Sequence, residues 1–276
     1  MTELATSLDK LRAGVVRAGV PFCLGIDPHP DALPDGLPPT IDGVERFARG
    51  LLAAVGEMAA AIKVNVAFFE AFGSAGWAAL ERLVADCDRE QFLILDAKRG
   101  DIGSTAERQA ESLLGRLGAD AVTLSPYLGE DAIEPFLAHG GRMVYVLART
   151  SNPSAGTLQD LSVAGVPLDE HVARWAATRW PDGRVGLVVG ATVPSALTRL
   201  RAAAPGPGFL VLGVGVQGGD LAAAMASCAG TLAPGLVSTS RAVAAASRGA
   251  DWEVAAASAA RAYIGRMREA GARLSA

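Results

Sequence analysis

The stretch FLILDAKRGDIGST (residues 92–105) joins a short apolar run directly to a cluster of charged residues. Its first four residues are continuously apolar instead of alternating with polar ones, which is typical of a strand buried on both faces. Asp96, Lys98 and Asp101 follow at once. We therefore expect a buried parallel strand that carries charged side chains at its carboxyl end.

Seven further runs of this kind occur along the chain. Helical spacing of Ala and Leu fills the intervals between them, for example at 44–59, 105–117 and 193–203, so strands and helices alternate. The eight predicted strands are 22–27, 61–66, 92–98, 121–126, 143–149, 185–191, 209–215 and 235–240. A count of eight favours a closed (β/α)₈ TIM barrel over an open sheet, and about 250 residues is the usual length for one. We expect an α/β protein with a single barrel domain over 1–276.

The ends of these runs are polar or contain glycine. In a (β/α)₈ barrel the carboxyl ends of all strands converge on one face, where active sites lie. This face would collect side chains from distant parts of the sequence, among them Asp27, Lys63, Ser151, Gln217 and Arg241. The longest irregular stretch, 152–168, is either a lid over this face or a passive surface excursion.

Composition excludes several classes of function. The net charge is −4 and no segment collects Lys and Arg into a basic stripe, which argues against nucleic-acid binding. No apolar run is long enough to span a bilayer, and the charged amino terminus lacks the apolar core of a signal peptide. We expect a soluble cytoplasmic protein without a membrane partner.

The cysteines and histidines do not form a metal-binding or disulfide pattern. Three cysteines, far apart and odd in number, predict reduced thiols, and three separated histidines offer no metal triad. Lysine is rare, since only Lys10, Lys63 and Lys98 occur among 25 cationic residues. A lysine in such a chain can mark a position that needs a compact ammonium, although chance is a serious alternative.

The charged cluster itself has two interpretations. Residues two apart on a strand point to the same side, so Asp96 and Lys98 can both enter the barrel mouth. A lysine between carboxylates would stay protonated, because nearby opposite charges favour its charged form. The alternative is a structural ion pair at the strand end, with Asp101 as an ordinary helix N-cap. Lys63 at the end of the adjacent strand favours a functional array.

The sequence resembles orotidine 5′-phosphate decarboxylases over most of its length. The DxKxxDIxxT string of that family is present without a gap at 96–105, and GIDPHP (25–30), KVNVAFFEAFG (63–73), RTSNPSA (149–155) and GVGVQGG (213–219) are similar to the longer-chain bacterial, type 2 subgroup. The resemblance implies a homodimer with shared active sites. It also implies conversion of orotidine 5′-monophosphate to uridine 5′-monophosphate and CO₂ in de novo pyrimidine biosynthesis, with no cofactor and no metal.

The resemblance also implies catalytic roles for four charged residues. Lys98 matches the lysine that stabilises the C6 carbanion and protonates it after CO₂ leaves. Asp96 matches the carboxylate placed beside the substrate carboxylate, and Lys63 matches the lysine that links the charged array to the ribose. Asp101 matches the aspartate that reaches into the partner's site.

Five further residues match substrate-binding positions of the family. Asp27 matches the aspartate that binds a ribose hydroxyl, and Thr105 accompanies Asp101 into the partner's site. Ser151 matches the serine that recognises the pyrimidine amide. Gln217 and Arg241 match the residues that close on the phosphate. Asn65, between these segments, receives no role.

Other interpretations remain open at this stage. The string GVGVQG (213–218) matches GxGxxG, but no Asp or Glu occurs from 221 to 250, so a phosphate loop after the seventh strand is favoured over a dinucleotide site. A related barrel with DxKxxD, such as 3-keto-L-gulonate 6-phosphate decarboxylase or hexulose phosphate synthase, would need magnesium. A silent nucleotide-binding barrel would bind uridine monophosphate without turnover.

Overall fold

The computed structural model describes residues 6–215 and 218–275, and eight parallel strands close into a barrel within them. Each strand pairs with the strands before and after it in sequence, and the last pairs with the first. The strands, named β1 to β8 in chain order, are Phe22–Ile26, Ala61–Asn65, Phe92–Arg99, Ala121–Leu124, Met143–Arg149, Val185–Gly190, Phe209–Leu212 and Leu236–Thr239. All eight predicted strands are present, and the (β/α)₈ prediction is confirmed.

Helices lie between successive strands and around the outside of the barrel. The long helices are Ser7–Ala18, Ile41–Val55, Gly73–Ala85, Gly103–Ala110, Leu168–Arg179, Pro194–Ala203, Leu221–Cys228 and Trp252–Ser275. Four-residue helices occur at Ala67–Glu70, Glu134–Leu137, Gly156–Gln159 and Arg241–Ala244. The helix that begins at Gly103 continues as a π-helical segment, Glu111–Arg116. A small antiparallel hairpin, Ser162–Val163 with Val166–Pro167, lies inside the stretch predicted as a lid or a surface excursion.

Strand periodicity divides the core into two layers. On β3, Leu93 and Leu95 belong to the core between strands and helices, whereas Phe92 and Ile94 belong to the core inside the barrel. The same alternation holds on β1, where Cys23 points inward between Phe22 and Leu24. Successive inward residues therefore form columns that rise along each strand toward the carboxyl-end face.

The opposite end of the barrel is closed by the first helix. Leu8 and Leu11 of Ser7–Ala18 join the interior core. The buried carboxylate of Asp120 accepts hydrogen bonds from Lys10 Nζ at 2.7 Å and from the Leu93 amide at 3.0 Å. The cavity that continues the interior columns lies at the other end of the barrel, at the carboxyl ends of the strands.

Among the described residues, none of the helices combines the length and the apolar character needed to cross a bilayer.

Candidate active site

The inward columns of the first three strands end in charged side chains. Asp27 continues the column of Cys23, Lys63 stands two residues after Ala61, and Asp96 stands two residues after Ile94. The strand register brings these columns side by side, with Lys63 paired to Ile94 and Asn65 paired to Asp96. Charges that are far apart in sequence thus come together on two successive levels of adjacent strands.

These side chains form a continuous row of alternating charge. Nζ of Lys63 lies 3.4 Å from Oδ1 of Asp27 and 3.1 Å from Oδ2 of Asp96. Nζ of Lys98 lies 2.6 Å from Oδ1 of Asp96, which completes the row. Lys63 and Asp96 are 3% and 5% exposed, so the middle of the row is almost free of water.

The ionisation of the buried pair follows from these contacts. Burial by itself raises the pKa of Asp96, but the charges of Lys63 and Lys98 and the hydrogen bonds from Lys98 and Thr123 outweigh it, so the pKa lies well below its ordinary value. Burial by itself lowers the pKa of Lys63, yet the carboxylates of Asp27 and Asp96 raise it above its ordinary value. Both groups are therefore charged at neutral pH.

Lys98 is positioned by an irregularity in β3. Leu95 lies opposite Val122 and Arg99 lies opposite Leu124, so β3 advances four residues while its neighbour advances two. Lys98 adopts a positive φ of 46°, a conformation that a residue with a side chain seldom adopts. Its amide donates to Oγ1 of Thr123 at 3.0 Å, and that hydroxyl donates to Asp96 at 2.8 Å.

This irregularity corrects the simple alternation argument. Lys98 meets Asp96 through a bulge, and not because a regular strand repeats every two residues. Its side chain is 45% exposed and is not among the residues that line the cavity, but its ammonium contacts Asp96, which lines it. The ammonium therefore remains accessible to a ligand from above.

Asp101 and Thr105 lie outside the cavity of their own chain. Oδ1 of Asp101 accepts a hydrogen bond from the amide of Ile102 at 2.8 Å, and Thr105 is exposed on the helix Gly103–Ala110. The N-cap of that helix is Ile102, so the alternative of Asp101 as an ordinary N-cap is wrong.

The cavity has a volume of about 410 Å³ and extends from the charged row to the ends of β7 and β8. Ser151, which follows β5, and Arg241, which follows β8, also line it. Arg241 begins the short helix after β8, at the position predicted for a phosphate contact. Gln217 lies outside the described residues.

The described part of the glycine-rich loop after β7, residues 213–215 and 218–219, does not favour a dinucleotide site. Gly213 and Gly215 have positive φ values of 83° and 95°, as a tight turn requires. The next helix begins at Leu221, and its first amides donate to the carboxylate of Asp220 at 2.8 and 3.1 Å. The carboxylate of Asp220 thus accepts from the amides at the helix N-terminus, where a Rossmann site would hold its pyrophosphate.

His29, Phe68 and Asn65 are among the cavity-lining side chains to which the sequence assigned no role. His29 and Phe68 stand at the edge of the cavity with ring centroids 4.3 Å apart. Asn65 faces Asp27, and its Oδ1 accepts from the amide of Ala67 at 3.3 Å. Asn65 follows Lys63 by two residues, and His29 follows Asp27 by two. Because every second residue of a strand points to the same side, this spacing could have identified both residues as candidates for the cavity.

Comparison with known proteins identifies close relatives over almost the whole chain. The model of the Orotidine 5'-phosphate decarboxylase / HUMPS family matches residues 21–259. The orotidine 5'-phosphate decarboxylase of Roseiflexus castenholzii is 52% identical over 243 residues, covering 87% of this chain and 89% of the relative. That of Verminephrobacter eiseniae is 44% identical over 268 residues, covering 94% and 96%. The solved OMP decarboxylase of Leishmania donovani is 37% identical with a TM-score of 0.79, over 95% and 99% of the two chains.

Proposed function

The chain belongs to the orotidine 5′-phosphate decarboxylase / HUMPS family, and we propose that it converts orotidine 5′-monophosphate to uridine 5′-monophosphate and CO₂ in de novo pyrimidine biosynthesis, without a cofactor. The observation that carries this proposal is the unbroken row from Asp27 through Lys63 and Asp96 to Lys98 at the mouth of the barrel. Relatives that match 87% and 94% of this chain carry the name of this carboxy-lyase.

The chemistry requires positive charge at one carbon. When the C6–CO₂ bond breaks, its electron pair remains on C6, where no π-system can delocalise it. An ammonium within about 4 Å of this carbon stabilises it by about 4 kcal/mol at an effective dielectric near 20. Lys98 then transfers a proton to C6, which yields the product and a neutral amine that recovers its proton from water. Lysine suits both tasks, because arginine holds its proton too tightly.

Asp96 keeps this lysine charged and correctly aimed. Its Oδ1 accepts hydrogen bonds from Lys98 and from Thr123, while its Oδ2 binds Lys63. The carboxylate is thus fixed from both sides in a buried setting. The substrate carboxylate would enter beside it, so that departure of CO₂ relieves repulsion between two anions.

The remaining lining residues divide the substrate between them. We assign Asp27 to a ribose hydroxyl, because an ionised acceptor at the cavity edge suits a hydroxyl donor. Ser151 is assigned to the pyrimidine amide. Arg241, with Gln217, is assigned to the phosphate, which a guanidinium can bind through two parallel hydrogen bonds. Phosphate sites after the seventh and eighth strands are common in this fold.

We further propose that two copies associate and complete each other's sites. Asp101 and Thr105 do not line their own cavity, which leaves them available to a neighbour. Apolar side chains are exposed at the same end of the barrel: Ile102 is 50% exposed, Tyr127 86% and Leu128 45%. Such side chains after adjacent strands form a surface that association would cover.

We place the protein in the cytoplasm.

The test is the loss of orotidine 5′-monophosphate absorbance on incubation with purified, chelator-treated protein. We expect turnover that added Mg²⁺ leaves unchanged, together with release of one CO₂ for each uridine 5′-monophosphate formed. A protein that binds uridine 5′-monophosphate without turnover would be the silent barrel. A protein that is active only on a sugar phosphate, and only with Mg²⁺, would be the related magnesium-dependent barrel. Either result overturns the proposal.

A further inference from the structure

The segment 152–168 follows the cavity residue Ser151 directly and is held in place by a set of ion pairs and hydrogen bonds. It contains the turn Pro153–Ala155, the short helix Gly156–Gln159 and the hairpin described above. It rejoins the barrel at the helix Leu168–Arg179. The sequence left open whether this segment is a lid or a passive surface excursion. The contacts of Arg149 show how the segment is attached to the barrel.

A bulge at the end of β5 turns Arg149 away from the barrel interior. Leu147 pairs with Val188, which belongs to the interior core, but Arg149 pairs with Val189, which belongs to the core facing the helices. Arg149 is 8% exposed despite its charge. The chain beyond it runs close to Gly190 of β6, where a Cβ would lie 3.0 Å from the amide nitrogen of Ser151. The start of the segment is therefore packed tightly against a strand end.

Two carboxylates compensate the buried charge of Arg149. Its guanidinium donates to both oxygens of Asp160, at the far end of the short helix, and Nη1 also donates to Asp169 at 3.4 Å. Asp169 is fully buried and accepts two further hydrogen bonds from Arg199, each of 2.9 Å. Asp169 thus joins the outer helices Leu168–Arg179 and Pro194–Ala203, while Asp160, with a side chain 56% exposed, belongs to the segment itself.

A second contact joins the same two points of the chain. The amide of Thr150 donates to Oε1 of Gln159 at 2.9 Å, and Nε2 of Gln159 donates back to Oγ1 of Thr150 at 2.8 Å. Residues 149–150 and 159–160 are therefore joined side by side, and Ser151 begins the short loop between them. A loop closed at its base has few conformations, so the direction of Ser151 is set largely before a ligand arrives.

We propose that Asp160 is a positioning residue for the pyrimidine, acting through Arg149 to hold Ser151 in its binding direction. This inference rests on the function proposed above. It assigns a role to a carboxylate that does not line the cavity and that the charged row does not need.

The experiment compares Asp160→Asn with a matched control, Asp182→Asn. Asp182 is also a half-exposed carboxylate bonded to an arginine, with its Oδ2 2.7 Å from Nε of Arg184, but it precedes β6 at the closed end of the barrel. Inhibition constants are measured for uridine 5′-monophosphate and for ribose 5-phosphate, which lacks the base. Thermal unfolding of each variant is followed in parallel.

We expect Asp160→Asn to weaken uridine 5′-monophosphate about tenfold, since a small misplacement of a binding group has effects of this order or greater. Ribose 5-phosphate should bind unchanged, and the control should leave both constants unchanged. Equal losses for the two ligands, or no loss for either, would overturn the inference while leaving the proposed function intact. Absence of nucleotide binding and of turnover in the unaltered protein would instead remove the proposed function on which it rests.

Discussion

Replacing Lys98 by alanine tests the central step of the proposed mechanism. Its ammonium lies 2.6 Å from Asp96 and its side chain is 45% exposed, so an effective dielectric near 20 is appropriate for its action on a neighbouring charge. At about 4 Å from the developing carbanion the electrostatic loss is about 4 kcal/mol, or about 10³-fold in rate. Loss of the proton donor adds to this, since general acids contribute about 10² to 10⁴-fold.

The fold should tolerate this change well. Asp96 keeps its contacts with Lys63 at 3.1 Å and with Thr123 at 2.8 Å, so the buried carboxylate remains compensated. The left-handed backbone at position 98 disfavours alanine and lysine alike. We therefore expect kcat to fall by about 10³-fold or more while the unfolding temperature changes little.

The assay is single-turnover loss of orotidine 5′-monophosphate absorbance, read beside the thermal unfolding of each variant. Lys10→Ala is the matched control, because Lys10 also pairs with a buried aspartate but lies at the closed end of the barrel, with Nζ 2.7 Å from Asp120. That variant should keep its kcat even if it loses stability. Normal turnover by Lys98→Ala would refute the mechanism.

Three further predictions follow from the same site. Because the pKa of Asp96 is lowered by folding, the folded protein binds fewer protons at this residue than the unfolded chain does in mildly acidic solution. The ionised carboxylate of Asp96 therefore contributes its full stabilisation above about pH 5. This stabilisation is lost as the pH falls through the ordinary carboxyl range and below. Asp96→Asn should therefore flatten the acid limb of the unfolding free energy between about pH 5 and pH 2, measured by urea titration, and an unchanged limb would contradict the assigned ionisation. Lys98→Ala and Asp101→Ala, each inactive alone, should regain part of the activity when the two variants are mixed. The reason is that one of the two active sites in a mixed dimer would have both residues intact. No recovery after verified subunit exchange would mean that each chain has a self-contained site. Arg241→Ala should weaken uridine 5′-monophosphate by about 10-fold to 100-fold, the usual worth of a charged hydrogen bond, and leave uridine unaffected; equal losses for both would remove Arg241 from the phosphate.

The architecture could be predicted from local patterns. Each buried strand is marked by a continuous apolar run, and each intervening helix by its own periodicity, so eight strands and their order are encoded in neighbouring residues. Inward periodicity also links Asp27, Lys63 and Asp96 to the cavity, since each follows an interior residue of its own strand by an even step. The family resemblance added roles to these residues that periodicity alone does not supply.

What depends on irregular backbone could not be predicted in this way. The bulge that directs Lys98 and the bulge that turns Arg149 outward both break the period of two on which the sequence argument relies. The position of Thr105 outside its own cavity likewise depends on where the helix Gly103–Ala110 begins, and not on the DxKxxD string. Asp160 meets Arg149 only because a loop returns to its own base.

The sequence by itself thus determined the barrel and the charges available at its open end, because strand formation and burial depend on patterns within a few residues. Only the tertiary structure decided which of those charges touch, which side chains line the cavity and which face away from it. Such contacts join residues that are distant in sequence, and they depend on strand register, bulges and barrel closure, which no single segment specifies.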